Sequence, residues 1–259
     1  MRALPIALTI VFVAAACGGG SESSAPPAAT EQAVDVQPTA TPEPPEEIAL
    51  IETADFVIEG DTGVLAVAGE ALVVGHLLRN TATTARSIGL RIDTEADIDI
   101  EASSRSIRVA RDEVVVVYST LTVPEDAVAG DVVSYDVIAV DVDDIREKSI
   151  TSVQVLVSDA QGDRPVVGDD AGTTGTNEQV FVFAAADDVD PDGDLDIASL
   201  RVIAGGWLAD QITGNGNGTI TYVPFANVEG VDVVMYEMCD AESRCDTGLI
   251  TITIGSPDE

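Results

Sequence analysis

From residue 48 onward, apolar residues alternate with polar ones along much of this chain, and the alternation constrains the fold more than any other feature. Ile88, Leu90 and Ile92 occupy every second position of one segment, and valines do the same over 153–157, where Leu156 is the exception. Successive side chains of a β-strand point to opposite faces, whereas a helix repeats every 3.6 residues. The pattern therefore predicts strands with one buried face and excludes amphipathic helices as the main element.

Denser apolar runs and frequent turn residues complete this picture. The segments 114–117 and 137–140 are continuously apolar, which predicts strands that are buried on both faces. Gly and Pro next to acidic residues at 60–61, 124–126 and 130–131 mark turns between the strands. Strand and turn units that recur about every ten residues are typical of an all-β sandwich.

The first sixteen residues have the pattern of an export signal. Met1 and Arg2 precede an apolar run over 3–16, which is too short to cross about 30 Å of hydrocarbon as a helix. The run ends in three alanines followed by Cys17 and three glycines, and this junction resembles the lipobox of bacterial lipoproteins. That resemblance implies that Cys17 becomes the lipidated first residue of the mature chain. The alternative is an ordinary secretory signal cleaved near an Ala-x-Ala site, which also exports the protein.

Residues 17–47 are rich in Gly, Ser, Ala, Pro, Thr and Glu and have almost no apolar periodicity. Such a segment cannot bury a core, so we expect a disordered linker. Its reach would be between about 30 Å as a coil and about 90 Å as polyproline II. The linker would therefore hold the folded part away from a membrane.

Two stretches within 48–158 resemble the Ig-like modules of bacterial and archaeal surface proteins. They are the strand-like segment 69–80, which ends in Asn80, and the V-P-x-x-A-x-A-G pattern over 123–130. The polar Gly/Pro break at 158–165 then marks a domain boundary. The resemblance implies an Ig-like β-sandwich over 48–158 and names no ligand.

The remainder, 165–255, resembles the cadherin-like Ig tandem domains of bacterial surface proteins. The blocks that carry this resemblance are 164–170, 180–184, 187–195, 218–224 and 236–240, which follow one another in the family's order. The resemblance implies a second sandwich. The expected fold is thus all-β, with two consecutive Ig-like antiparallel β-sandwiches after the signal peptide and the linker.

The most acidic segment of the second domain suggests a calcium site. Five aspartates lie within eight residues over 187–194, with Gly193 at a turn, an arrangement that wraps oxygen atoms around a hard cation. An EF-hand is excluded, because Pro191 interrupts the loop and Ser199 stands where its last glutamate belongs. The family resemblance implies further ligands near the domain entry and in the last hairpin. The expected set for a structural Ca²⁺ is Asp169, Asp170, Asp188, Asp190, Asp192, Asp194 and Asp240, and the alternative is a solvated acidic turn.

Cys239 and Cys245 are the pair that remains if Cys17 carries a lipid. In an exported chain a lone pair most simply forms a disulfide, here across the last hairpin. Structural zinc would need four ligands and finds only one distant histidine, His76, while a redox motif would need a C-x-x-C spacing. The spacing of these two cysteines therefore favours a structural disulfide.

Charge and motif content narrow the function. One Lys and eleven Arg against 46 acidic residues give a formal charge of −34, which repels nucleic acids and leaves a lipid anchor as the route to a membrane. His76 lies in an apolar strand, and neither G-x-S-x-G nor H-E-x-x-H occurs. Among so many acids, a hydrolase that uses two carboxylates is the enzymatic alternative.

We therefore expect a non-enzymatic, exported lipoprotein on the extracytoplasmic side of the membrane, at the cell surface or in the periplasm. It would act as an adhesion, spacer or interaction module for an unknown surface protein or glycan. The alternative is an accessory or ligand-binding envelope lipoprotein that serves a transporter or an enzyme.

Overall fold

A computed structural model describes residues 54–255, and this part of the chain is built of β-strands. The predicted leader, Cys17 and the predicted linker lie outside the described residues. The strands of the first half are β1 Phe56–Gly60, β2 Gly63–Val67, β3 Ala71–Asn80, β4 Arg86–Thr94, β5 Ile100–Ala102, β6 Ser106–Val109, β7 Val114–Thr122, β8 Val132–Asp141 and β9 Lys148–Ser158. Those of the second half are β10 Asp170–Gly175, β11 Val180–Val182, β12 Leu195–Gly205, β13 Ala209–Gly214, β14 Ile220–Pro224, β15 Gly230–Asp240 and β16 Cys245–Gly255, with one short 3-10 turn at Ala184–Ala186.

The first nine strands form two facing sheets, one ordered β1-β3-β7-β5 and the other β2-β9-β8-β4-β6. The chain changes sheets between β1 and β2, at a turn where Asp61 Oδ1 accepts a hydrogen bond from the Gly63 amide at 3.0 Å. After this change β2 runs parallel to β9, whereas the other paired strands of these two sheets are antiparallel. One parallel edge pair is thus added to the expected antiparallel arrangement.

The core of this first sandwich consists of the alternating residues that the sequence pattern selects. Ile88, Leu90, Val153 and Val155 are buried, and the odd residue Leu156 is exposed. Asn80 ends β3 inside the protein, where its side-chain amide donates to the carbonyl oxygens of Thr84, Val109 and Ala110 at 2.9–3.1 Å. The asparagine in the Ig-like pattern therefore anchors a loop against the core.

The last seven strands form a second pair of sheets, ordered β10-β16-β15-β12 and β11-β14-β13. The large side chains between them include Tyr222, Tyr236, Met238 and Ile252, all almost completely buried. Here too the entry strand, β10, runs parallel to its neighbour β16. The expected fold class, an all-β protein with Ig-like β-sandwiches, is confirmed. Among residues 54–255 no helix has the length and the apolar character to span a membrane.

Candidate functional site

A third apolar cluster lies between the two sandwiches. Leu77 of β3, Ala204 of β12 and Met235 of β15 are buried together, although each sandwich has its own core. Val114 and Val116 of β7 and Trp207 of the second sandwich pack against this cluster. From Gly75 to Leu78 both faces of β3 are therefore covered, one by the first core and the other by the second sandwich, whereas Val73 nearer its start is 65% exposed. Such a contact restricts the movement of one sandwich relative to the other.

A group of charged side chains closes the same junction. Glu70, just before β3, accepts hydrogen bonds from Arg164 Nε at 2.5 Å and from Arg244 Nη2 at 3.1 Å. Arg164 also donates to the carbonyl oxygens of Leu65 and of Cys245, the latter at 2.6 Å, and Arg244 donates to that of Gly162. The three charged side chains are only 7–17% exposed. One carboxylate of the first sandwich thus holds an arginine of the connecting segment and an arginine of the last hairpin.

The electrostatics of this group favour the ionised carboxylate. Burial by itself would raise the pKa of Glu70, but the hydrogen bond from Arg164, the bond from the Val67 amide and the charges of the two arginines lower it overall. A cation–π contact adds to the junction, since the Arg79 guanidinium lies 5.3 Å from the centre of the Trp207 ring. The junction combines apolar packing with a buried ion network.

The disulfide supports this junction. Cys239 and Cys245 are bonded to each other across the register of β15 and β16, as the sequence predicts. They close the hairpin turn that carries Arg244, and the Cys245 carbonyl is itself the acceptor for Arg164. Inside this turn Asp240 Oδ1 accepts a hydrogen bond from the Arg244 amide at 2.7 Å. Asp240, which was predicted as a calcium ligand, is 4% exposed. Its carboxylate stabilises the hairpin turn through this hydrogen bond.

His76 lies inside the first sandwich and is fully buried. Its Nε2 lies 2.9 Å from Ser119 Oγ, which in turn lies 2.8 Å from the Tyr135 hydroxyl. Burial lowers the pKa of His76 to about 4, so the imidazole is neutral at physiological pH. The arrangement is that of a histidine packed in a core, out of reach of a substrate.

The predicted acidic loop divides into separate groups. Asp190 Oδ1 accepts backbone hydrogen bonds from Asp192 at 2.8 Å and from Gly193 at 2.9 Å. The carboxyl of Asp194 lies within hydrogen-bonding distance of those of Asp190 and Glu242, and chiefly Glu242 raises the pKa of Asp194 to about 6. Asp192 turns away from this group, since its Oδ2 accepts the amide of Asp163 in the connecting segment at 2.6 Å.

A second acidic group surrounds the hydroxyl of Tyr236. This hydroxyl lies 3.0 Å from Asp170 Oδ2 and 3.2 Å from Asp188 Oδ2, while Asp188 Oδ1 accepts the amide of Gly168 at 2.7 Å. Burial is the main cause that raises the pKa of Asp170 to about 6, and repulsion by neighbouring carboxylates adds to it. Asp169 lies beside this group and accepts the amide of Leu249 at 3.0 Å.

The structure thus brings Asp170 and Asp188 together, and Asp190 and Asp194 together, but does not gather all seven predicted ligands. Within residues 54–255, the only three metal-binding side chains whose ligand atoms lie within 4.8 Å of one another are Glu237, Cys239 and Cys245, and the two cysteines are bonded to each other. Sequence reasoning missed Glu242, which approaches the loop from the last hairpin, and Tyr236. Both residues reach the acidic groups through the fold of β15 and the last hairpin, and the sequence around them contains no signal of this proximity.

Comparison with known families identifies one part of the chain. Residues 162–253 match the family described as bacterial Ig domain. This segment is an Ig-like domain. Among curated protein sequences, none matches the chain.

Solved structures give only distant similarities. The FixG-related protein from Vibrio parahaemolyticus is 12% identical with a TM-score of 0.32, and the match covers 41% of this chain and 97% of that one. The periplasmic chaperone SfaE is 13% identical with a TM-score of 0.30 and coverages of 77% and 99%. The sialic acid binding region of a Streptococcus sanguinis SK1 adhesin is 9% identical with a TM-score of 0.31 and coverages of 79% and 78%. Similarities this low identify no function.

Proposed function

We propose that this protein is an exported, lipid-anchored interaction module whose two sandwiches act as one rigid, non-enzymatic unit. Cys17 carries the anchor, residues 17–47 are the spacer, and the sandwiches present a partner-binding surface on the extracytoplasmic side. The leader pattern and the lipobox resemblance support the anchor. The Ig-like domain at 162–253 supports the role in interaction, since sandwiches of this kind offer faces and loops to partners while their cores keep them rigid.

The observation that carries the proposal is the junction. A flexible pair of domains would meet through a small polar contact, whereas here Glu70, only 13% exposed, accepts hydrogen bonds from two arginines and Leu77 packs against Met235. Fixed domains present their surfaces in one relative orientation, which an anchored interaction module requires. Complete burial of His76 argues against catalysis by a histidine, because the described residues contain no other imidazole.

Fractionation of cells that express the full-length chain tests the anchor. We expect the wild-type protein in the membrane fraction and the Cys17→Ser variant in the soluble exported fraction. Treatment of intact cells or spheroplasts with protease then shows on which side the sandwiches lie. Recovery of the Cys17→Ser variant in the membrane fraction, or full protection of the wild type from protease, would contradict the proposal.

We further propose that Asp190 and Asp194 hold a structural Ca²⁺, with Glu242 moved toward them from the last hairpin, because three oxygens of these residues do not lie within 4.8 Å of one another as placed. Its donors are carboxylate oxygens, the hard ligands that Ca²⁺ prefers, and Asp190 Oδ2 is buried without a hydrogen-bond partner among the described residues. A cation placed there would offset the effect of the Glu242 and Asp190 carboxyls, whose hydrogen bonding and then whose charges raise the pKa of Asp194. Its role would be to tie the loop after Ala184–Ala186 to the last hairpin.

Thermal unfolding in excess Ca²⁺ and in chelator tests this site. At a hundredfold excess over the dissociation constant, Ca²⁺ would add about 2.7 kcal/mol to the free energy of unfolding. We expect Asp190→Asn to abolish the effect and Asp192→Asn to retain it, because Asp192 faces the connecting segment. If Ca²⁺, Mg²⁺ and Na⁺ act alike, or if the two variants respond equally, the acids form a solvated surface without a specific site.

A further inference from the structure

The outward face of the sheet β11-β14-β13 differs in charge from the rest of this strongly acidic chain. Phe181 of β11 lies opposite Thr221 of β14, which lies opposite Thr213 of β13. These residues point outward, since Val182, Ile220 and Tyr222 between them are buried. We call this surface the neutral face, and its residues are Phe181, Phe183, Gln211, Thr213, Thr221, Val223 and Phe225.

Two features of the neutral face indicate a function. None of the seven residues is charged, although the chain has 46 acidic residues and a formal charge of −34. Its three phenylalanines are 48–68% exposed, and together they are all the phenylalanines of the second sandwich. Phe181 and Phe183 are neighbours on one edge, and Phe225 lies four residues beyond Thr221 on the same face. Exposed aromatic rings that share one face mark an interaction site more often than a single exposed apolar residue does. The face is therefore a candidate binding surface.

The chemistry of the face combines flat apolar rings with uncharged hydrogen-bonding groups. Phe181 and Phe183 are two residues apart on one edge, so their rings lie roughly 7 Å from each other along the strand direction. Beside them Asn215 Nδ2 lies 3.0 Å from Thr221 Oγ1, and Gln211 Nε2 lies 3.1 Å from Thr213 Oγ1. Hydroxyl and amide groups donate and accept hydrogen bonds without charge. Sugar rings need this combination, because they have apolar C–H faces and a rim of hydroxyl groups.

The size of the face argues against a stable contact with a second copy of the chain. The face is three strands wide, at about 4.8 Å per strand, and five residues long, at about 3.3 Å per residue, so its area is roughly 240 Å². A stable protein interface needs about 800 Å² from each partner. A narrow linear ligand fits the smaller area, and the absence of cations on the face disfavours an anionic one.

We propose that the neutral face binds a neutral polysaccharide, with the rings of Phe181 and Phe183 stacked on successive parts of the sugar chain. This inference rests on the proposed function, because it names the class of partner that the interaction module takes. The surrounding acidic surface excludes anionic glycans by repulsion. The proposal thus includes a selectivity for uncharged over charged polysaccharides.

Affinity electrophoresis of the full-length chain tests it, in native gels that contain hydroxyethylcellulose, laminarin or galactomannan, with alginate as the anionic comparison. We expect at least one neutral polysaccharide to retard the protein and alginate not to. Phe181→Ala should weaken the association roughly tenfold, the loss of one aromatic contact, and Phe181→Tyr should restore it. The matched control is Tyr118→Ala, which removes a 41% exposed aromatic ring from the first sandwich.

Several results would overturn the proposal. They are no retardation by any of the three neutral polysaccharides, equal retardation by alginate, and retardation that Phe181→Ala leaves unchanged. Sedimentation of the same proteins gives a further contradicting result. If the wild type forms dimers at higher concentration and Phe181→Ala does not, the face binds a second copy of the chain. Because this assay uses purified protein, a negative result would contradict the polysaccharide proposal without affecting the anchor or the rigid junction. The anchor is tested by fractionation, and the junction is tested by the distance between the sandwiches.

Discussion

Replacement of Glu70 by Gln removes the one carboxylate that two arginines share at the junction. Arg164 and Arg244 then keep their backbone acceptors but lose their ionic partner, while their side chains stay 17% and 7% exposed. Loss of one member of a buried ion pair costs about 3–5 kcal/mol, because the remaining charge is left uncompensated. Since both arginines retain carbonyl acceptors, we expect about 3 kcal/mol, or a fall of roughly 6–12 °C in Tm for a protein of this size.

The assay is denaturant unfolding followed by two probes. Trp207, the single tryptophan, lies at the junction and reports it by fluorescence, while far-UV circular dichroism reports all strands. In the wild type we expect the two transitions to coincide. In Glu70→Gln the fluorescence transition should move to lower denaturant and separate from the other. The control is Glu101→Gln, an exposed glutamate of β5 that should change stability by less than about 0.5 kcal/mol.

A change in Glu70→Gln as small as that of the control would refute the reasoning. The pH dependence provides a second check. Because the native pKa of Glu70 is lowered from 4.5, its contribution to stability is present above that value and is lost as the pH falls through the native pKa. In Glu70→Gln this part of the acid sensitivity should be absent.

Three further predictions concern single features. His76 has a pKa of about 4 in the native state against 6.5 when free, so the free energy of unfolding should fall by about 3 kcal/mol between pH 6.5 and 4. In equilibrium unfolding, His76→Gln should reduce this dependence of the free energy on pH. The pKa of Asp170 is raised to about 6, so its ionisation destabilises the native state; Asp170→Asn should raise Tm at pH 7 but not at pH 4, whereas exposed Asp97→Asn should raise it at neither pH. Loss of the disulfide in Cys239→Ser with Cys245→Ser should lower the free energy of unfolding by about 2 kcal/mol, and reductant should lower that of the wild type but not of this variant.

The local pattern of the sequence was sufficient to predict the strands and the fold class. Ile88 and Leu90 are buried as their alternation requires, and the exposed Leu156 is the residue that breaks its pattern. The parallel pairing of β2 with β9 was not predictable in this way. It depends on the change of sheet at Asp61, and a strand that changes sheets has the same alternation as one that does not.

The candidate sites were predictable only in part, for the same physical reason. Asp190 and Asp194 are neighbours in sequence, so their proximity follows from the loop, but Glu242 reaches them through the fold. The junction could not be predicted for the same reason. The sequence of β3 shows an apolar residue at Leu77 but does not show which residues pack against it. The neutral face combines residues of three strands, and the alternation along each strand contains no information on which strands lie side by side.

The central claim is that the two sandwiches form one rigid unit. The distance between spin labels at Ser106→Cys and Asn217→Cys tests it most directly, in a full-length chain that also carries Cys17→Ser so that only the introduced thiols react. Both sites are exposed, one on each sandwich. We expect one narrow distance distribution, and a broad one after Glu70→Gln. A broad distribution without the Glu70 change would contradict the account.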